Sequence, residues 1–154
     1  GGGRILINVG HLNLAGRVES DGARDPQPLS VGGGGSGGSV WITADSVTDQ
    51  SENYNAAISA SGGPAVSSSG KPAGGGGGGR VGISCNTVDP NLAVLASGGL
   101  STDDCISGGI KDNGGAGTIF ISRPEKYELI ISNFNHNSSA LYTTRSTTLG
   151  VFPQ

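Results

Sequence analysis

Four times along this chain of 154 residues a cluster of glycines runs straight into a short pattern of alternating aliphatics. Gly1 to Gly3 precede Arg4-Ile5-Leu6-Ile7, and Gly37 and Gly38 precede Ser39-Val40-Trp41-Ile42. Gly74 to Gly79 precede Arg80-Val81-Gly82-Ile83, and Gly114, Gly115 and Gly117 precede Thr118-Ile119-Phe120-Ile121. The leading residues Arg4, Ser39, Arg80 and Thr118 stand 35, 41 and 38 positions apart, a spacing at which internal repeats mark stacked architectures. A unit of that length cannot bury an apolar face alone, so its neighbours must cover it.

A second phrase recurs in each unit. Val18-Glu19-Ser20-Asp21-Gly22 lines up with Ile58-Ser59-Ala60-Ser61-Gly62, Val94-Leu95-Ala96-Ser97-Gly98 and Ile130-Ile131-Ser132-Asn133-Phe134. In the first phrase Ile5 and Ile7, Val40 and Ile42, Val81 and Ile83, and Ile119 and Ile121 occupy alternate positions, so each pair points to one face of a strand. Leu6, Trp41, Gly82 and Phe120 fall between them and are expected on a variable outer face. No dozen residues keep a helical period, and glycine and β-branched residues dominate.

These patterns predict an all-β chain, a single glycine-rich parallel β-solenoid or β-helix-like domain of about four units. The units run over about 1–31, 32–73, 74–113 and 114–139, with 140–154 as a C-terminal strand or cap. Propeller blades usually need four strands each, and two clear strands per unit fit a solenoid better. Ile5, Val40, Val81 and Ile119 would stack as one interior ladder, and Ile7, Ile42, Ile83 and Ile121 as a second. Glycine serves where backbones pass closely or φ turns positive.

The phrases Gly34-Gly35-Ser36-Gly37-Gly38-Ser39-Val40-Trp41-Ile42-Thr43-Ala44, Ile58-Ser59-Ala60-Ser61-Gly62-Gly63 and Gly74 to Gly79 followed by Arg80-Val81-Gly82-Ile83 resemble the glycine-rich repeats of large secreted or surface-exposed proteins. Those repeats are taken as right-handed β-helical, pectin-lyase-like segments. The resemblance covers roughly residues 32–122 and is one of repeat style. It implies an extracellular structural or adhesive role and supplies no catalytic residues.

Gly and Pro together make 30 and 7 of the residues, close to the ~25–30% at which low-complexity disorder becomes the default. The recurrent Val and Ile alternation argues against disorder. Net charge is −3 and the nine basic residues are scattered singly, so the footprint of a nucleic-acid binder is missing. No apolar run approaches the ~18 residues of a membrane span. The chain has no methionine, which marks it as a processed product or part of something longer.

Enzymatic signals are weak, and neither an activity nor a cofactor is expected. After Gly79 comes Arg80-Val81, which opens a strand, whereas a phosphate loop needs Lys then Ser or Thr opening a helix. The acidic groups Asp45, Asp49 and Glu52, Asp103 and Asp104, and Asp21 and Asp25 fall in turns, where Asp is favoured for its own turn chemistry. His11 and His136 are too few for a base, nucleophile and orienting group. Trp41 is expected to cover a glycine-rich face or a subunit contact.

Cys85 and Cys105, with 19 residues between them, leave a disulfide or two free thiols. The disulfide is the expectation, since it would contribute about 3 kcal/mol by closing that loop and would imply an oxidising compartment. Asn137-Ser138-Ser139 fits an N-glycosylation sequon, with Asn137 the acceptor. The combined reading is a building block of an extracellular fibre, sheath or surface appendage, its partners being copies of itself and glycans. A carbohydrate-binding adhesin module is the alternative, and a polysaccharide-active β-helix enzyme comes third. For end-to-end assembly the residues expected to matter are Arg4, Ile5, Leu6 and Ile7 at an open strand edge. Opposite them, Leu141, Tyr142, Leu149, Val151 and Phe152 belong to a segment rich in β-formers, expected to be donated to the next subunit, with capping of its own last coil as the alternative.

Overall fold

The computed structural model describes residues 1–24, 32–51, 55–66, 73–101, 113–131 and 133. Among them there are strands and no helix, and the architecture is all-β. The first unit holds β1 (Arg4–Asn8), β2 (His11–Leu14) and β3 (Arg17–Glu19), and the second β4 (Ser39–Thr43), β5 (Ser46–Asp49) and β6 (Ala57–Ser59). The third holds β7 (Arg80–Ser84), β8 (Thr87–Val88) and β9 (Ala93–Leu95), and the fourth β10 (Thr118–Arg123) and β11 (Lys126–Ile130).

Each of the first three units sends one strand to each of three sheets. The orders are β1-β4-β7-β10-β11, β2-β5-β8 and β3-β6-β9, and every pair but β10-β11 is parallel. Parallel pairing demands long crossovers, which the repeat length supplies. The register sets Ile5, Val40, Val81 and Ile119 in one row and Ile7, Ile42, Ile83 and Ile121 in the next, the two ladders read from the sequence. Val18, Ile58 and Val94 form a third row, also as aligned.

The middle sheet is an addition to the two strands expected per unit. Its row is Leu12, Val47 and Val88. Inward residues of all three sheets, among them Ile42, Val47, Ile58 and Ile83, share a single core cluster. Full burial of aliphatics of this size contributes about 1.5–3 kcal/mol each.

The turn between first and second strands is held the same way twice. Gly10 C=O accepts N–H bonds from Asp45 (2.7 Å) and Ser46 (3.3 Å), and Asp45 C=O accepts them from Asn86 (3.0 Å) and Thr87 (3.2 Å). In the fourth unit the equivalent position is Pro124, which has no N–H to offer. There the chain reverses through Pro124-Glu125, and β11 returns antiparallel to β10 with Arg123 opposite Lys126. The expectation that Ile130-Ile131-Ser132-Asn133 continues the third row is corrected accordingly: Ile130 pairs with Ile119 in the first sheet.

The glycine clusters form their own stack. Ala23 C=O accepts from Gly35 N–H, Gly35 from Gly63, Gly63 from Gly76, Gly76 from Gly99, and Gly99 from Gly114, at 2.7 to 3.0 Å. This zigzag joins two columns of backbone so closely that a Cβ at Gly34, Gly63, Gly76 or Gly99 would strike a neighbouring carbonyl. In this stack Gly34, Gly35, Gly63, Gly76, Gly99 and Gly114 keep clear of the left-handed conformation. Of the two expected uses of glycine, close passage of backbones is the one at work in this stack, and the hydrogen bonds offset the entropy of ordering glycine.

Candidate functional site

Alternation in the first sheet sends every second residue outward. One outward row is Arg4, Ser39, Arg80 and Thr118, the next Leu6, Trp41, Gly82 and Phe120, and the third Asn8, Thr43, Ser84 and Ser122. The middle row is apolar and partly uncovered, with Leu6 64% and Trp41 47% exposed. At Gly82 there is no side chain, and the six-membered ring of the Trp41 indole lies where a Cβ would stand. Phe120 stacks on Tyr127 of β11, centroids 6.3 Å apart and planes 12° from parallel. Between the first two rows is a hollow of about 500 Å³, lined by Arg4, Ser39, Trp41, Arg80, Thr118 and Phe120 among others.

Charge on this sheet is one-sided. Strands β1, β4, β7 and β10 carry Arg4, Arg80 and Arg123 and no carboxylate. On β11, Glu128 bonds Arg123 (Nη2 to Oε2, 2.9 Å) and Lys126, whose hydrogen bond first, and the positive charge of Arg123 after it, hold its carboxyl below the usual range. Arg4 and Arg80 are exposed, and among the described residues neither has an ion pair or side-chain hydrogen bond.

Cys85 is a free thiol buried in the core. It stands where the second unit has Ala44, its N–H bonded to Ser122 C=O as Ala44 N–H is to Ser84 C=O. Burial pushes its pKa up, and the nearby Arg123 guanidinium opposes the rise. No disulfide is seen among the described residues, which include Cys85 but not its expected partner Cys105. Cys105, Asn137, Leu141, Tyr142, Leu149, Val151 and Phe152 lie outside the described residues. Arg4, Ile5, Leu6 and Ile7 all fall in β1, an edge strand among the described residues.

Asp49 and Asp89 serve their own turns, Asp21 reaches across to the next unit, and Asp25, Glu52, Asp103 and Asp104 lie outside the described residues. Asp49 Oδ1 accepts from Ser51 N–H (2.7 Å), Asp89 Oδ1 from Asn91 N–H (2.9 Å), and Asp21 Oδ1 from Ser59 Oγ–H (2.6 Å) and Ser61 N–H (2.7 Å). Two of these are the i to i+2 bonds of Asx turns. No group of three or more His, Cys, Asp or Glu gathers as a metal site among the described residues. His11 Nδ1 lies 2.9 Å from Ser46 Oγ on an exposed face. Gly34-Gly35-Ser36-Gly37-Gly38 has the spacing of a nucleophile elbow, a motif sequence reasoning passed over. An elbow leads from a strand into a helix, whereas this run leads into β4. The outward face of the first sheet is thus the candidate site, and sequence reasoning named Trp41 there without the two arginines.

No protein-family model, curated protein or solved structure matches this chain.

Proposed function

We propose that the chain is a parallel β-solenoid segment that serves as a structural building block outside the cell, associating end to end with copies of itself. The observation that carries this reading is that the same three strands recur in register in successive units, so the stack has two unlike ends. At one end β1, β2 and β3 have no partner strand on their outer side among the described residues. At the other, next to β8 and β9, a hollow of about 520 Å³ is lined by Val88, Leu92, Val94, Ile121 and Ile130 among others. Apolar residues at the first end, Ile5, Ile7, Leu12 and Val18, are only partly covered. A copy docked there would continue the rows, and an unlike-ended contact of this kind gives an open filament unless its rotation closes a ring.

Placement outside the cell rests on the Asn137 sequon and the resemblance to secreted repeats. The exposed Trp41 row favours carbohydrate binding as a second reading.

Sedimentation and negative-stain microscopy of the purified chain test the proposal. Filaments are expected for the wild type. Ile5→Lys blocks one end and Val88→Lys the other, so each alone is monomeric, and their mixture forms pairs but no filaments. A wild type that stays monomeric at every concentration would overturn it.

A further inference from the structure

We propose that the outward face of the first sheet is a binding site for an acidic glycan, a sugar chain bearing carboxylate or sulfate groups, lying across the strands along the row Leu6, Trp41, Gly82 and Phe120. This rests on the second reading above, carbohydrate binding by the Trp41 row, whose ligand class it names, and is independent of end-to-end assembly.

Shape comes first. A pyranose ring has an apolar face of C–H groups and a rim of hydroxyls. The half-exposed indole of Trp41, beside Leu6 and Phe120, offers a flat apolar surface of the kind used where one side of a ring stays dry and the other wet. Gly82 lets the indole lie down on the sheet instead of standing away from it. Ser39 and Thr118 line the hollow with hydroxyls, and Thr43, Ser84 and Ser122 form the outward row on the far side of the apolar one.

Charge selects the class of sugar. Arg4 and Arg80 share one outward row with Ser39 between them, which sets their strands two spacings apart, about 9.5 Å. Neither has a protein partner among the described residues. Two guanidinium groups without a partner among the described residues, on a chain of net charge −3, match two anionic groups along one ligand, and guanidinium binds carboxylate and sulfate-like oxyanions through paired N–H groups. The same charges disfavour a second copy as the occupant, because the four strands of this face carry no carboxylate to meet the arginines. Nucleic acid would also meet the arginines, but among the described residues this face supplies a single exposed aromatic ring, Trp41, for stacking.

The test titrates alginate, dextran sulfate and uncharged dextran of matched length into the chain by calorimetry, at low and high salt, using the Val88→Lys variant so that assembly does not enter. Binding of either acidic glycan in preference to dextran, weakened by salt, is expected. Binding by one alone identifies the acidic group and supports the proposal. Trp41→Ala should weaken binding about tenfold or more, the equivalent of removing one good contact. The double variant Arg4→Gln and Arg80→Gln, which alters only exposed side chains, should abolish the preference for acidic over neutral glycan with the melting temperature unchanged. The proposal is overturned if neither acidic glycan binds, if dextran binds equally, if single-stranded DNA binds more tightly than both acidic glycans, or if the arginine variant binds as the parent does.

Discussion

Asn133 stands in for a backbone carbonyl at Gly98. Lower in the same column Gly22 N–H bonds Ser61 C=O and Gly62 N–H bonds Ser97 C=O, both at 2.8 Å; at the next level Gly98 N–H bonds Asn133 Oδ1 at 2.9 Å. Asn133 Nδ2 in turn donates to Gly114 C=O at 3.2 Å. One side-chain amide therefore ties the last level of the column after β11 has turned away from it. Asn133→Ala should cost about 1–2 kcal/mol, the scale of two lost hydrogen bonds, read by urea titration, with faster amide exchange at Gly98. Unchanged stability and exchange would show that the amide closes nothing.

Neighbouring glycines should respond oppositely to alanine. A Cβ at Gly76 would meet the carbonyl of Gly35, while at Gly77 it meets nothing within 4 Å. Gly76 also gives its N–H to Gly63 and takes that of Gly99, so its backbone has little room to yield. Gly76→Ala should lower stability by several kcal/mol or prevent folding, on the scale of ~1–3 kcal/mol for overpacking and more where only backbone lies in the way. Gly77→Ala should be neutral or stabilising by about 0.4–1 kcal/mol, through loss of freedom in the unfolded chain. Equal effects at the two positions would refute the close-packed columns.

Ile83 is 1% exposed, in a row with Ile42 below and Ile121 above. Ile83→Ala should cost about 2–5 kcal/mol. Leu6→Ala, on the opposite side of the same sheet, should cost far less. Thermal unfolding of the two variants compares them, and the reverse order would mean the strand faces are interchanged.

The rows of the first and third sheets were legible because Val and Ile recur at fixed places, just after a glycine cluster in the first and four positions before Gly22, Gly62 and Gly98 in the third. The middle row was not, because Leu12, Val47 and Val88 are its single shared aliphatics, set among His, Ser, Asn and Thr. Their signal was spacing, since each falls eight positions after its unit's leading residue. The reversal in the fourth unit was also written in the chain. Pro124 lies six positions after Thr118, where Gly10, Asp45 and Asn86 lie after Arg4, Ser39 and Arg80, but its meaning depends on a hydrogen bond that no pattern displays. The row that holds Trp41 and Gly82 was legible in the same alternation, whereas the indole ring lying over Gly82 depends on a side-chain rotamer that no pattern displays.

Acid should loosen the β10-β11 hairpin. Glu128 is held below the usual carboxylate range by the Lys126 hydrogen bond and then by the Arg123 charge. A carboxylate with a depressed pKa in the folded state contributes stability that is present above its unfolded value, about 4.3, and is lost as pH falls through the folded one. Melting temperature should fall as pH drops from about 5 downward, and Glu128→Gln should flatten that limb while lowering stability at neutral pH. An acid limb that is the same in both proteins would assign it to other carboxylates.

Alkali should act through Cys85. Burial raises its pKa, so the folded chain keeps the thiol protonated at pH values where the unfolded one has ionised. The stability tied to it is fully present below the unfolded value, about 8.5, and declines as pH rises from there through the folded value. Iodoacetamide should label Cys85 slowly in the native chain and quickly in urea, with peptide mapping to report this site separately from Cys105. Cys85→Ala should fold, because Ala44 already fills the equivalent place one unit below, and it should remove that part of the alkaline decline. Recovery of Cys85 joined to Cys105 in non-reduced mapping, or labelling as fast in the native state as in urea, would overturn the buried free thiol.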